Sequence, residues 1–230
     1  MIGIIGAMEE EVAVLKDDMQ DKVIATKAQM EFCKGILYGK DAVVVRSGIG
    51  KVNAAVCAQI LVDEFGVDVL INTGIAGSLN ADIDIGDLVI STDAVHHDMD
   101  ATIFGDPAGQ VPRMDVFSFE ADKDLIAKAK AANEKVNPQL HTFLGRVVSG
   151  DQFVSSAEVK NRLVEQFNGF CTEMEGCAIA HTAYLNGVPF VIIRAISDKA
   201  DNSATMDYPT FEKQAIRHSV RLMRELIPQI

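Results

Sequence analysis

The sequence predicts a three-layer α/β/α protein, in which helices cover both faces of a buried sheet. Two observations carry this. Val- and Ile-rich runs recur at Ile2–Ile5, Ala42–Val45, Val67–Ile71, Leu88–Ile90, Val147–Val148 and Val188–Ile196, and their hydrophobicity is continuous rather than alternating, as in strands covered on both sides. Helical periodicities lie between them, so strand and helix alternate along the chain. A third observation sets the domain count: no linker-like Pro/Gly/Ser tract, repeat or low-complexity segment interrupts the 230 residues, which predicts one domain over residues 1–230.

In chain order, Ile2–Ile5 leads through Gly6 to Glu9-Glu10-Glu11, a triplet suited to a first helical turn, where the dipole favours negative charge. Ser47-Gly-Ile-Gly-Lys51 is a glycine turn entering a helix; Val52, Val56 and Ile60 follow i, i+4, i+8 spacing and Gly66 stops it. Asn72-Thr-Gly-Ile-Ala-Gly77 comes directly after a buried strand, so its glycines would admit a ligand close to the backbone; a tight structural turn fits those residues almost as well. His96 to Phe119 breaks the pattern with Gly105, Pro107, Gly109 and Pro112, and a loop this long is functional or at an interface. Ser149-Gly-Asp-Gln-Phe153 is another glycine turn after a strand. Its Phe153 suits the core or stacking on a planar ring. Ser155 and Glu158 form a capping-box pattern opening a helix to about Phe167. Met174–Asn186 is predicted as a buried helix ended by Gly187, and Pro209 as the first residue of a polar C-terminal helix.

Composition narrows the functions. A formal net charge of −12 disfavours a grip on phosphate backbones, so nucleic acid is excluded as a partner. No apolar run approaches the roughly 18 to 20 residues of a membrane span, and the chain starts directly on a strand, which predicts a cytoplasmic protein. Cys33, Cys57, Cys171 and Cys177 lack CxxC spacing and sit in apolar contexts, as buried thiols do.

Among motifs, Gly3-Ile-Ile-Gly6 lacks the full dinucleotide fingerprint, and the glutamates after it would repel a pyrophosphate. Ser47–Lys51 lacks P-loop spacing. His96-His97-Asp98 with Asp100 could ligate a metal, but without a second His/Cys cluster a hydrogen-bonded strand-end group fits better. The carboxylates are more telling. Cys171-Thr-Glu-Met-Glu-Gly176 and the run ending Ser197-Asp198 set acids beside apolar sequence, where a carboxylate is costly unless it does something. With the Glu triplet, three acidic sites become candidates for one pocket that does acid/base work on a small molecule. Glu173 and Glu175 cannot share one helix face, so one is expected to be structural while the other enters a cleft.

Six segments in this order, Gly3–Glu11, Ser47–Val52, Asn72–Gly77, Val148–Phe153, Glu173–Glu175 and Arg194–Asp198, resemble the bacterial 5′-methylthioadenosine/S-adenosylhomocysteine nucleosidases of the nucleoside phosphorylase superfamily. The resemblance runs from the first residue to the last helix. It implies a central twisted mixed sheet and hydrolysis of the N-glycosidic bond of 5′-thio-substituted adenosines, with 5′-deoxyadenosine as a further candidate substrate, to adenine and the ribose product, in methionine salvage and recycling of adenosylmethionine by-products. By resemblance Glu11 activates the water, Asp198 protonates adenine N7 with Ser197 in support, Glu175 binds the ribose hydroxyls and Met174 lies beneath the sugar. Phe153 stacks on adenine while the Val154 backbone reads its amino edge. Met8, Ile49 and Tyr208 make sugar and alkylthio contacts; Glu173, Ile75, Ala76, Gly77 and Arg194 complete the substrate-binding set. Ala101, Phe104 and Pro112 are lent by the other subunit of a homodimer, and no metal or organic cofactor is implied.

The chemistry suits the residues independently. Breaking this bond builds positive charge on the ribose, which carboxylates stabilise, and the departing purine needs an acid. Holding an aspartic acid protonated near neutrality takes roughly 4 kcal/mol of environment. Ile75, Gln152, Gly176, Asp106 and Pro107 depart from the family pattern and bear on the sugar and 5′ subsites. The rivals are a purine nucleoside phosphorylase, an aminodeoxyfutalosine nucleosidase and a catalytically dead nucleoside-binding protein. Asn72 and Ile75 stand where phosphorylases place Arg and Ser. Retention of Glu11, Glu175 and Asp198 together speaks against a mere binder.

Overall fold

The computed structural model describes residues 1–230, the Met206 side chain excepted. Its strands are β1 (Ile2–Gly6), β2 (Gln20–Lys27), β3 (Met30–Leu37), β4 (Lys40–Arg46), β5 (Val69–Ser78), β6 (Leu88–His96), β7 (Phe119–Glu120), β8 (Thr142–Ser149), β9 (Cys171–Glu173) and β10 (Phe190–Asp198). Helices α1 (Glu9–Asp18), α2 (Lys51–Phe65), α3 (Lys123–Val136), α4 (Ala157–Phe167), α5 (Gly176–Asn186) and α6 (Ala204–Leu226) pack on them. One apolar cluster joins the sheet to α1, α3 and α6, and a second joins it to α2 and α5, which gives the expected three layers. Every residue of β1, β5 and β10 is buried, as their continuous hydrophobicity requires.

The sheet is mixed. β4, β1, β5 and β10 run parallel in that order, and the antiparallel β2–β3 hairpin extends the β4 edge. Beyond β10 the sheet curls: β10 pairs antiparallel with β6, β6 runs parallel to β8 and β8 parallel to β9, and β9 returns antiparallel to β5. Five strands therefore close into a ring. The pairings Gly77 with Thr172 and Ser149 with Glu173 put the last residues of β5, β8 and β9 side by side.

Several sequence expectations need correction. The Asn72–Gly77 segment is not a turn after the strand; it is the second half of β5, which starts at Val69 rather than Val67. β10 likewise starts at Phe190, two residues after Val188. The Val52, Val56, Ile60 spacing falls on a helix as expected, but only Ile60 of the three packs against the core. Val52 is 75% and Val56 39% exposed, and α2 buries Ala54, Cys57, Ala58 and Leu61 instead. Its stop at Gly66, in the left-handed region, is as expected. α4 begins at Ala157 and its Ser156 cap makes no side-chain bond, so the Ser155/Glu158 capping box does not form. α5 begins at Gly176 because Glu173 is still strand and Glu175 is the cap. Pro209 lies inside α6, five positions after its first residue. The true start signal is Asp201–Ser203: Asp201 accepts from the Ser203 amide at 2.9 Å and hydroxyl at 2.8 Å, and that hydroxyl also bonds Asp207. The four cysteines are free and buried. Among the described residues no helix is long and apolar enough to cross a membrane.

Candidate active site

A cleft opens where β5, β9 and β10 end. It is lined by Ala7, Met8, Glu11, Ile49, Ile75, Ala76, Gly77, Phe153, Thr172, Glu173, Met174, Glu175, Ser197, Asp198 and Tyr208, and a small adjoining hollow adds Gln152 and Val154. A much wider groove, about 520 Å³ against about 90 Å³, lies where β1, β4 and β5 begin. It has no cluster of buried polar groups, and in open α/β sheets ligands bind at the carboxyl ends of strands. The smaller cleft is the candidate.

Glu11 reaches it by folding back over the start of α1. Its Oε2 accepts from the backbone N–H of Ala7 at 2.7 Å and of Met8 at 3.0 Å, and its Oε1 from that of Ile75 at 3.1 Å. These bonds fix both oxygens, and Oε1 keeps room for another donor. Burial raises the Glu11 carboxyl above its ordinary range, against the lowering pull of Arg194 and the three N–H groups.

Arg194, from the middle of β10, is fully enclosed. It donates to the Asn72 side chain and forms an ion pair with Glu173. Glu173 also accepts from the Ser149 hydroxyl and from the N–H of Gly176 at 2.7 Å. Burial acts to raise the Glu173 carboxyl, but Arg194, Ser149 and Gly176 together hold it below the usual range. The guanidinium and Glu11 approach across Gly74: a Cβ there would lie 2.4 Å from Glu11 Oε1 and 2.7 Å from Arg194 Nη1. Only glycine fits between the two charged groups.

Glu175, at the cap of α5, turns into the cleft, and its Oε1 accepts from Gly50 N–H at 2.8 Å. Burial first, then the Glu173 carboxylate, push its carboxyl up to about 7, while Arg194 and Gly50 oppose the rise. The two glutamates thus differ in their partners, Glu173 being ion-paired with Arg194 and Glu175 bonded to the Gly50 N–H. Asp198 ends β10. Its Oδ1 accepts from Ala200 N–H at 2.8 Å and its Oδ2 from the Ser197 hydroxyl at 2.9 Å. Burial raises its carboxyl, aided by Asp207 and Asp201 and opposed by those two donors.

Apolar and aromatic groups close the cleft. Phe153 is 47% exposed and meets Tyr208 edge-on at 5.9 Å between centroids; the Tyr208 hydroxyl bonds Met8 Sδ at 3.2 Å. Tyr208 comes from α6, far along the chain.

Of the residues singled out in the sequence, Met8, Glu11, Ile49, Ile75, Ala76, Gly77, Phe153, Glu173, Met174, Glu175, Ser197, Asp198 and Tyr208 line the cleft and Val154 its side hollow. Arg194 lies behind the wall. Ala101, Phe104 and Pro112 do not reach the cleft of their own chain; Ala101 is buried, and Phe104 is 85% exposed. Sequence reasoning missed Ala7 and Thr172. Thr172 lies beside the singled-out Glu173, and its buried hydroxyl has no hydrogen-bond partner. Its position in the acidic motif was the available signal.

A sheet curled into a ring, with buried carboxyls around an aromatic-walled cleft, defines an enzyme that performs acid/base chemistry on a small ring-bearing molecule. Residues 1–228 match the model of the Phosphorylase superfamily, and the chain belongs to that family. It is 42% identical, over 100% of both chains, to the 5′-methylthioadenosine/S-adenosylhomocysteine nucleosidase of Staphylococcus aureus (strain JH9). The Neisseria meningitidis nucleosidase of that name, solved with methylthio-immucillin-A, superposes with TM-score 0.95 at 39% identity and covers 100% of this chain and 99% of its own. The futalosine hydrolase of Helicobacter pylori strain 26695 superposes with TM-score 0.94 at 33% identity, covering 100% and 97%.

The Glu175 environment has a measurable consequence. A carboxyl raised in the folded state favours the fold fully below its unfolded value of 4.5, and that contribution is lost as pH rises through about 7. Urea denaturation at about pH 5 and pH 8 is expected to show Glu175→Gln gaining about 2 kcal/mol over the parent at the higher pH relative to the lower. An unchanged difference between the two pH values would mean that Glu175 titrates normally.

Proposed function

We propose that this chain is an N-glycosyl hydrolase that releases adenine from 5′-methylthioadenosine and S-adenosylhomocysteine. The observation that carries the reading is the trio Glu11, Glu175 and Asp198, each raised above its ordinary range and disposed around one cleft. Among the described residues lining that cleft none is cationic, which suits water rather than phosphate as the nucleophile. The activity named for the Staphylococcus and Neisseria relatives accords with this.

As the bond from C1′ to adenine N9 lengthens, positive charge grows on the ribose and negative charge on the purine. Asp198 gives its proton to N7, so adenine leaves neutral; burial keeps that proton available. Glu175 accepts hydrogen bonds from the ribose hydroxyls, and Met174 supports the sugar. Water attacks C1′ as Glu11 takes its proton, so one C–O bond replaces one C–N bond. A base raised toward neutrality accepts a proton more readily than an ordinary glutamate. Phe153 stacks on the base, and the Val154 backbone reads its amino edge. Met8, Ile49 and Tyr208 enclose the 5′ side.

The chain acts as one domain, in the cytoplasm, where its four free thiols stay reduced. It acts as a two-fold homodimer. Val52 and Val56 of α2, and Ile103 and Phe104 at 87% and 85% exposure, form apolar surface that a second copy would cover. Phe104 would then wall the neighbour's alkylthio subsite. A second reading, hydrolysis of aminodeoxyfutalosine, is favoured by the likeness to the Helicobacter pylori futalosine hydrolase.

One assay tests the assignment: incubation with methylthioadenosine, adenosylhomocysteine, aminodeoxyfutalosine, adenosine and inosine, with and without phosphate, and chromatography of the products. Adenine release independent of phosphate is expected, and thioribose 1-phosphate as main product would overturn the hydrolase reading. Asp198→Asn and Glu11→Gln are each expected to lower kcat by about 10² to 10⁴ while ligand affinity stays within about tenfold. A variant that kept more than about a tenth of kcat would remove its residue from the role. Phe104→Ala is expected to weaken methylthioadenosine more than adenosine, by about 1 to 3 kcal/mol in kcat/KM. Equal losses, or a fully active monomer in sedimentation at micromolar concentration, would dismiss the shared pocket.

A further inference from the structure

The His96-His97-Asp98 motif has no part in the chemistry above, and among the described residues no cluster of His, Cys, Asp and Glu could hold a metal. It sits, however, where three cleft-forming segments meet. Asp98 Oδ1 accepts from Lys51 Nζ at 2.5 Å, and Oδ2 from the Asp151 N–H at 3.0 Å. Asp151 Oδ1 in turn accepts from the Lys51 N–H at 2.8 Å. The three residues thus form a closed ring of hydrogen bonds joining the start of α2, the end of β6 and the turn after β8.

Each side of the ring leads to a ligand-facing group. One residue before Lys51, the Gly50 N–H donates to Glu175 Oε1 at 2.8 Å. Two residues after Asp151 comes Phe153. The turn between is pinned from beneath: the His97 N–H donates to the Ser149 carbonyl at 2.9 Å, and a Cβ on Gly150 would stand 2.4 Å from the His97 ring. Lys51 and Asp98 do not line the cleft, and their side chains keep 21% and 30% of their exposure. A partly exposed ion pair contributes little to stability. Its geometry serves alignment instead, since both partners also set backbone groups that hold the cleft.

We infer that Asp98 and Lys51 are positioning residues. Through Gly50 N–H they aim the ribose-binding carboxylate of Glu175, and through Asp151 they hold the turn whose aromatic ring stacks on the base. This deepens the nucleosidase reading and rests on it. Three consequences separate alignment from bulk stability. The two side chains act as a unit, so their losses do not add. The loss reaches the substrate through its ribose hydroxyls. A longer cation that can still span to Asp98 restores function.

The test uses Lys51→Met, Asp98→Asn, the double variant and Lys51→Arg in the full chain, assayed on methylthioadenosine and on its 3′-deoxy analogue. KM for methylthioadenosine is expected to rise about tenfold in each single variant, the size of a weakened hydrogen bond to a charged group, with kcat falling about threefold or less. The double variant should be no worse than the worse single one, and Lys51→Arg should recover most of the loss. Removing the 3′-hydroxyl should cost the parent several-fold more than it costs the variants. Additive losses, an equal penalty for the analogue throughout, or an unchanged KM would each overturn the inference. Amide hydrogen exchange without ligand provides an independent arm, with Gly50 and Asp151 expected to exchange about tenfold faster in Lys51→Met while β1 and β5 stay unchanged. Unaltered protection at Gly50 would overturn the inference. Failure of the parent to hydrolyse methylthioadenosine would overturn the functional reading alone, leaving the exchange result to judge the positioning role.

Discussion

A guanidinium cut off from water must be paired within the protein, and the partners of Arg194 join three strands. Arg194 comes from β10, Asn72 from β5 and Glu173 from β9. Removing one member of such a buried pair leaves an uncompensated charge, which costs about 3 to 5 kcal/mol. The pair therefore specifies how these strands meet more than it adds net stability. Because β9 closes the ring between β8 and β5, the same contact decides where the cleft lies.

The charge on Arg194 also divides labour between two glutamates only two residues apart. Glu173 takes the ion pair and the N–H of Gly176, so it is held ionised. Glu175 is buried with a single N–H, from Gly50, and feels the repulsion of Glu173, so burial first and that repulsion second hold its proton to about 7. The alternation of strand geometry ends between them. Glu173 is the last residue of β9 and Glu175 the cap of α5, which is how neighbours in sequence come to face different surroundings.

Close approach is the other constraint. Glu11 and Arg194 draw together only because Gly74 presents bare backbone between them, and His97 lies under the 149–153 turn only because Gly150 does the same. Glycine in a strand interior is otherwise a weakness. In β5 its position beside two charged groups explains why a fully buried strand carries it.

Much of this was legible in the chain. The strands β1, β4, β5, β6, β8 and β10 announce themselves because burial on both faces demands continuous apolar runs, and Gly66 and Gly187 mark helix ends because both adopt left-handed geometry. The β2–β3 hairpin did not, since β2 is an edge strand almost wholly exposed and its mixed sequence has no core face to reveal. Glu11, Glu175 and Asp198 stood out as acids in apolar sequence. The i, i+4 spacing on α2 marked a helix but not its buried face, because spacing defines a stripe without saying what covers it, and Val52 and Val56 are exposed. The sequence by itself determined local period, the helix stops and which acids were out of place, all of which depend on neighbours in the chain. The tertiary structure alone decided that the sheet closes into a ring, that Glu173 pairs and Glu175 does not, and that Tyr208 meets Met8. Those outcomes depend on which distant groups share one low-dielectric space, and charge pairing there is settled by geometry between strands rather than by spacing along them.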